Sequence, residues 1–308
     1  MRIVKVRAPT RIDLGGGWTD VPPYCEREGG FVCNIAIDRY ATATLTDANG
    51  ATDARASLDA PLIRAALRRS NLSDVHASLH SDFPLGAGLG GSSAASAALL
   101  GAIAEWRGVK SDRCEIAEEG RRIEVEELGI AGGRQDHYAA THGGALAMRF
   151  TDKVEVKRIA MSREFAEEFA RRSILVYTGE SRISGGNITE VLNAYERREP
   201  RVLSALARMR ALAEQMATSL ESGDLDGVGA LVGEHWEHQR ELHPAIPTPL
   251  IDEIVERARA NGAIGSKAMG ASGGGCVLVI AGEESVERVG AAVSPLGSLV
   301  SFGVSTEV

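Results

Sequence analysis

Lysine is nearly missing from this 308-residue sequence: of 34 basic residues only Lys5, Lys110, Lys153, Lys157 and Lys267 are lysines, and none follows a glycine. A phosphate-binding loop ending Gly-Lys-[Ser/Thr] is therefore excluded. Cysteine is scarce too. Cys25, Cys33, Cys114 and Cys276 form no Cys-x-x-Cys pair, which predicts packed thiols in a reduced compartment rather than a disulfide scaffold. No apolar run reaches membrane-spanning length; the most apolar stretch, Ala94 to Ala104, is interrupted by Ser96 and Gly101. Charges at Arg2, Lys5 and Arg7 occupy the stretch where a signal peptide would need its apolar core. With 42 acidic residues against 34 basic ones, a net charge of -8, no whole-surface basic footprint for nucleic acid exists. These absences predict a cytoplasmic protein with small-molecule partners, and neither nucleic acid nor membrane among them.

What is present is a core: 44% of the residues are hydrophobic, enough for one large domain or two ordinary ones. Phe31, Cys33, Ile35 and Ile37 alternate with Val32, Asn34, Ala36 and Asp38, so the first 50 residues read as an antiparallel sheet with a turn at Asp47 to Gly50. Helices are expected at Pro61 to Arg69, Ser92 to Trp106 and Asp112 to Leu128, and a strand at Val75 to His80. Beyond a charged stretch at Ala160 to Arg172 and the apolar run Ser173 to Tyr177, helical periodicity covers Glu199 to Glu221, Leu225 to Leu242 and Pro249 to Ala260. Strand-like runs return at Cys276 to Ala281 and Ser298 to Val304. The pattern predicts an α+β chain of two domains, 1–165 and 166–308, with glycine-rich loops near their junction.

Pro84 to Ala95 reads P-L-G-A-G-L-G-G-S-S-A-A between a strand and a helix. Four glycines in six residues remove side chains that would hold a polyanion off the backbone, and the N–H groups of the following helix favour phosphate there. The bland alternative is a flexible turn capped by Ser92. The same residues satisfy Gly86-x-Gly88-x-x-Gly91, but a dinucleotide site needs a return to a parallel strand, and Trp106 to Lys110 leads into a second helix instead. On that helix Glu124 and Glu127 share one stripe, so one of them needs a cation or a donor; Mg²⁺ held by a carboxylate with Ser92 or Ser93, or a salt bridge to arginine, both satisfy this. Asp136, in G-G-R-Q-D-H-Y, has room to meet a ligand as a general base, with a helix cap as the alternative. Arg11, Asp13 and Asp20 surround a third glycine turn, and Gly270 to Gly275 form a fourth. His235 and His238 lack a third ligand at zinc spacing and read as helix-face or pocket residues.

Four such motifs in this order resemble the GHMP small-molecule kinases, over essentially the whole chain. Gly129 to Gly144, Val176 to Arg182 and Glu234 to Pro244 are most similar to the D-glycero-D-manno-heptose 7-phosphate kinase branch. The resemblance implies a ribosomal protein S5 domain 2-like N-terminal domain that binds ATP, a ferredoxin-like C-terminal domain, and ATP with Mg²⁺ and a sugar in the cleft between them. It implies that Pro84, Gly86, Ala87, Gly88, Leu89, Gly90, Gly91, Ser92 and Ser93 wrap the phosphates, that Ser93 and Glu124 hold Mg²⁺, and that Asp136 and Arg11 act in transfer. Gly17, Trp18, Asp20, Gly133, Arg134, Arg182, Gly273 and Gly274 are then the sugar-binding candidates. Gly17-Trp18 replaces the Gly-Gly or Glu-His of relatives and is similar to the Gly-Gly-Trp of fucokinases; Arg134 replaces a usual Lys. For a substrate that already carries phosphate, Arg134, Arg182, Lys267 and Arg240 are the candidate clamp. A sugar or sugar phosphate is the expected partner, and a homodimer is compatible with the sequence. The competing readings are a catalytically silent sensor of nucleotide and sugar, and a dinucleotide-dependent oxidoreductase.

Overall fold

The computed structural model describes residues 2–47, 60–180 and 185–305. The expected turn at Asp47 to Gly50 and the candidate Arg182 therefore lie outside the described residues, Asp47 itself excepted.

Strands β1 (Ile3–Gly15) and β2 (Gly30–Asp47) pair antiparallel along most of their length, with α1 (Tyr24–Glu28) in their connection. The other edge of β2 is divided. Its first residues pair with β4 (Ala145–Phe150) and its last with β3 (Val75–Ser81), while β5 (Val154–Ile159) completes a five-stranded sheet beside β4. The register shift between Pro9 and Thr10, opposite Tyr40 and Ile37, lets the two halves of β2 present residues of the same parity to different buried layers. Ala41, Ala43 and Leu45 meet the alanine-rich face of α3 (Gly91–Arg107), whereas Cys33, Ile35 and Ile37 meet Leu212 and Met216 of α8 (Pro200–Ser222). Between β2 and β3 lies α2 (Ala60–Arg69), and after α3 come α4 (Arg113–Arg122), a π-helical turn at Ile123–Glu127, and α5 (Gln135–His142). The expected helix from Asp112 to Leu128 is thus two conformations: a capping box at Asp112 and Glu115 starts it, and its last residues unwind into the wider turn.

The second sheet is antiparallel in the order β7 (Ala263–Ala268), β8 (Cys276–Ala281), β6 (Ser173–Tyr177), β9 (Ser298–Val300). Leu278 and Ile280 face α9 (Leu225–Glu241), while Val277 and Val279 pack with Ile254 of α10 (Pro249–Ala260) and Val289 of α11 (Val286–Val293). Helix α7 (Gly185–Glu196) lies between β6 and α8 in the chain. The strand expected over Ser298 to Val304 is shorter than that. β9 stops at Val300, and the chain returns to the first sheet, where Val304 bridges Ile37 and the Ser305 N–H donates to the Ala36 carbonyl at 2.9 Å. The division at 165/166 would fall inside α6 (Arg163–Arg172). This helix opens at a Ser162 cap, three residues after the last strand of the first sheet ends at Ile159. No described strand continues parallel after the Gly-rich loop and its helix, so the dinucleotide topology is absent among the described residues.

Candidate active site

A cavity of about 430 Å³ opens where β1, the Gly-rich loop, α5 and the β7–β8 connection meet. Its phosphate-sized end is built by residues 84–93. Gly86, Gly88 and Gly90 all take left-handed φ values of 71–75°, and α3 starts at Gly91 with no side-chain cap. Ser92 is not the cap: its hydroxyl donates to Glu124 Oε1 at 2.9 Å. The first N–H groups of a 17-residue helix consequently end at the cleft with the positive end of the helix dipole, a ready anion site.

The two carboxylates expected on one stripe part company. The π-helical turn changes the angular spacing, and Glu127 pairs with Arg68 and Arg69 of α2, away from the cleft. Glu124 lines the cleft, with Oε2 2.8 Å from His137 Nε2 and Oε1 on Ser92. Burial pushes its pKa up, but the His137 and Ser92 hydrogen bonds outweigh this, and the net direction is down. The Ser93 hydroxyl is buried and lies 3.4 Å from the same His137 nitrogen. Two hydroxyls and an ionised carboxylate beside an anion site are hard oxygen donors suited to Mg²⁺. Among the described residues no group of three His, Cys, Asp or Glu could hold a metal.

Asp136 stands at the start of α5, where its carboxyl group lies 3.3 Å from the position a Cβ on Gly90 would occupy. Arg11 reaches it with Nη2 at 2.6 Å and Nε at 2.8 Å, and donates from Nη1 to the Gly88 carbonyl at 2.7 Å. One guanidinium therefore joins the carboxylate to the phosphate loop. Asp20 occupies the other wall, where its Oδ2 accepts the N–H groups of Arg134 and Gln135 at 2.7 and 2.9 Å. Burial raises its pKa to about 6; the Gln135 N–H opposes the rise, and the charges of Asp136 and Asp13 add to it. A Cβ on Gly133 would collide with Asp20, so glycine there is what admits this trans cap. Gly17 and Trp18 line the same end, Trp18 at a φ of 80°.

Other candidates fall elsewhere. Gly273 and Gly274 do not line the cleft; Gly270 and Ala271 of the same loop do. The Arg134 guanidinium turns to Glu118 and the Thr151 carbonyl, leaving its backbone N–H as its link to the site. Arg240 pairs with Asp252, and Lys267 is fully buried against Asp13, so neither offers a surface clamp. His235 is buried, accepting the Gly16 N–H at 2.9 Å. Sequence spacing did not single out His137 or Gln135: the contact of His137 with Glu124 depends on the π turn and the 128–134 connection.

The family comparison agrees with this layout. The GHMP kinases N terminal domain is matched over residues 60–144 and the GHMP kinases C terminal over residues 216–297. The chain belongs to the GHMP kinases. It is accordingly a phosphotransferase that acts on an alcohol group. This GHMP kinase is 28% identical to the D-glycero-alpha-D-manno-heptose 7-phosphate kinase of Campylobacter jejuni, over 89% of this chain and 88% of that protein. It is 27% identical to the L-fucokinase/L-fucose-1-P guanylyltransferase of Bacteroides fragilis, over 91% of this chain and 35% of that longer protein. Among solved structures, a D-glycero-D-manno-heptose 1-phosphate kinase from Bacteroides thetaiotaomicron superposes with a TM-score of 0.77 at 26% identity, over 98% of this chain and 96% of that one.

Proposed function

We propose that this GHMP kinase transfers the γ-phosphoryl group of ATP to the anomeric hydroxyl of a sugar, with D-glycero-D-manno-heptose 7-phosphate as the acceptor. The observation that carries the reading is the placement of Asp136 between Arg11 and the turn that opens α3. A base must lie within reach of both the acceptor hydroxyl and the transferring group, and this carboxylate stands at the mouth of the anion site.

The chain's residues divide the work by position. Backbone N–H groups at the start of α3 bind and orient the phosphates, and Asp136 orients the acceptor hydroxyl and takes its proton. Arg11 holds that carboxylate in place and offsets negative charge at the loop. Ser93 and Glu124 would hold Mg²⁺, with Ser92 and His137 fixing the carboxylate; the ion supplies charge neutralisation on the phosphates when bound. Because the transition state is loose, positioning and charge stabilisation suffice without covalent catalysis. Asp20 and Trp18 bound the acceptor end.

A second reading, a fucokinase-like enzyme for an unphosphorylated sugar, draws on Trp18 in the acceptor wall and on the Bacteroides fragilis relative. Phosphorus NMR of products from heptose 7-phosphate, mannose, fucose and galactose separates the two. An anomeric phosphate on the heptose is expected; turnover of fucose alone selects the second reading, and no ADP release with any sugar defeats both.

A further inference from the structure

Lys267 is the one described lysine with no exposed surface, and its partner Asp13 lines the cleft. The lysine projects from β7 of the second sheet to β1 of the first, donating from Nζ to the backbone carbonyl of Asp13 at 2.9 Å and to its Oδ2 at 3.0 Å. Burial lowers the lysine pKa, and the Asp13 charge opposes the fall. The second carboxylate oxygen is unused. Asp13 is 4% exposed and lines the cleft, yet its Oδ1 finds no donor among the described residues. A carboxyl oxygen deprived of both water and donors is costly, so such an atom beside a cleft points to a donor brought by a ligand.

The surroundings define that ligand. A Cβ on Gly17 would strike Asp13 Oδ2, the oxygen that Lys267 holds, and come within 2.9 Å of the Gln135 side-chain nitrogen, so the absent side chain keeps a gap between the Asp13 carboxyl group and a donor. Gln135 is buried with its oxygen turned to Asn34 Nδ2 at 3.4 Å, which leaves its NH₂ directed to that gap. The indole N–H of Trp18, another cleft residue, is also without a partner. A hydroxyl group donates and accepts at once, which is what this set requires. An anion is disfavoured by Asp13 and Asp20 together.

We infer that Asp13, locked by Lys267 across the two sheets, selects the acceptor by taking a hydrogen bond from one of its ring hydroxyls, so that any phosphate on the acceptor points away from this wall. The inference rests on the sugar-kinase reading. The test uses the acceptor with the lowest KM in the panel above and its monodeoxy analogues, with sugar affinity also measured calorimetrically in the presence of a non-hydrolysable ATP analogue. D13A removes both carboxylate oxygens but leaves the lysine unpaired, so the double variant D13A/K267M is run beside it, with thermal melting as the check on folding. Wild type should lose about tenfold to hundredfold in sugar KM with one monodeoxy analogue, the worth of a hydrogen bond to a charged group. The double variant should show that same loss with the full sugar, no further loss with that analogue, and an unaltered KM for ATP. Equal discrimination in variant and wild type overturns the inference, as does a wild type indifferent to every deoxygenation; the second result needs no variant to fold. No turnover of any sugar by wild type would instead remove the kinase reading beneath it.

Discussion

Two glycine-rich loops meet in this cleft, and they do opposite things with their backbones. Residues 84–91 feed a long helix whose first N–H groups no side chain caps. Residues 270–275 join β7 to β8, and two of their N–H groups are used inside the protein: Gly273 donates to the Ile246 carbonyl at 2.9 Å and Gly275 to that of Glu180 at 2.8 Å. The second loop buttresses the first. Cys276 N–H bonds the Ala87 carbonyl at 2.8 Å, and a Cβ on Gly88 would come within 2.8 Å of the Met269 carbonyl. Glycine therefore marks the close approach of the two loops to each other, and the first loop alone goes on into a helix whose uncapped N–H groups face the cleft.

Breaking the first loop's chemistry should have the largest effect. Asp136→Asn should lower kcat by about 10²–10⁴-fold while keeping fold and ATP binding, since it removes a base and little volume; steady-state rates with a nucleotide titration check it, and undiminished turnover removes Asp136 from the mechanism. Gly88→Ala meets both a left-handed φ of 75° and the Met269 carbonyl, and should cost about 2–5 kcal/mol of stability together with nucleotide affinity. Gly274→Ala, with its Cβ 2.7 Å from the Glu180 carbonyl, should destabilise comparably yet leave nucleotide affinity in the folded protein intact. Equal losses of affinity would erase the distinction between the loops.

On the opposite wall the readout is pH. A carboxyl raised from 3.8 to about 6 keeps its proton longer in the folded than in the unfolded chain, so its contribution is full below pH 4 and is lost as pH rises through 6. Asp20→Asn keeps an oxygen for the Arg134 and Gln135 N–H groups and cannot ionise. Relative to wild type it should gain about 2–3 kcal/mol between pH 4 and 7 in denaturant melts; parallel pH profiles would contradict the raised pKa. Finally, Glu124→Gln should raise the Mg²⁺ needed for half-maximal rate by about 10- to 100-fold, with weaker Mn²⁺ binding by electron paramagnetic resonance. Glu127→Gln loses only part-exposed arginine pairs and should shift stability by about 0.5 kcal/mol or less. The reverse order would exchange the two roles.

Much of the secondary structure was legible because its signals are local. The heptad-like spacing of Val202, Ala205, Leu206, Met209 and Leu212 places them in one buried face of α8, and β8 lies where an apolar run predicted it. The short strands β4, β5 and β7 were missed: β4 and β7 show no alternation, their burial being imposed by neighbours, and the alternation in β5 covers only Val154 to Lys157. Asp136, Arg11 and the phosphate loop were visible as motif residues. Gly273, Gly274 and Arg134 matched motifs equally well but do not line the cleft, because which side of a loop faces it is not a property of the motif. Asp13 and Lys267, 254 positions apart, carry no signal of their pairing at all.

Periodicity, glycine content and the order of four motifs thus determined the layers, the anion-binding turn and the family, because each depends on neighbours a few residues away in the chain. The choice between Glu124 and Glu127, the burial of Lys267 beneath Asp13 and the shifted carboxyl of Asp20 were decided only by packing. Charge and solvation at a point depend on everything within a few ångströms of it, and in this cleft those groups come from both sheets and from opposite ends of the chain.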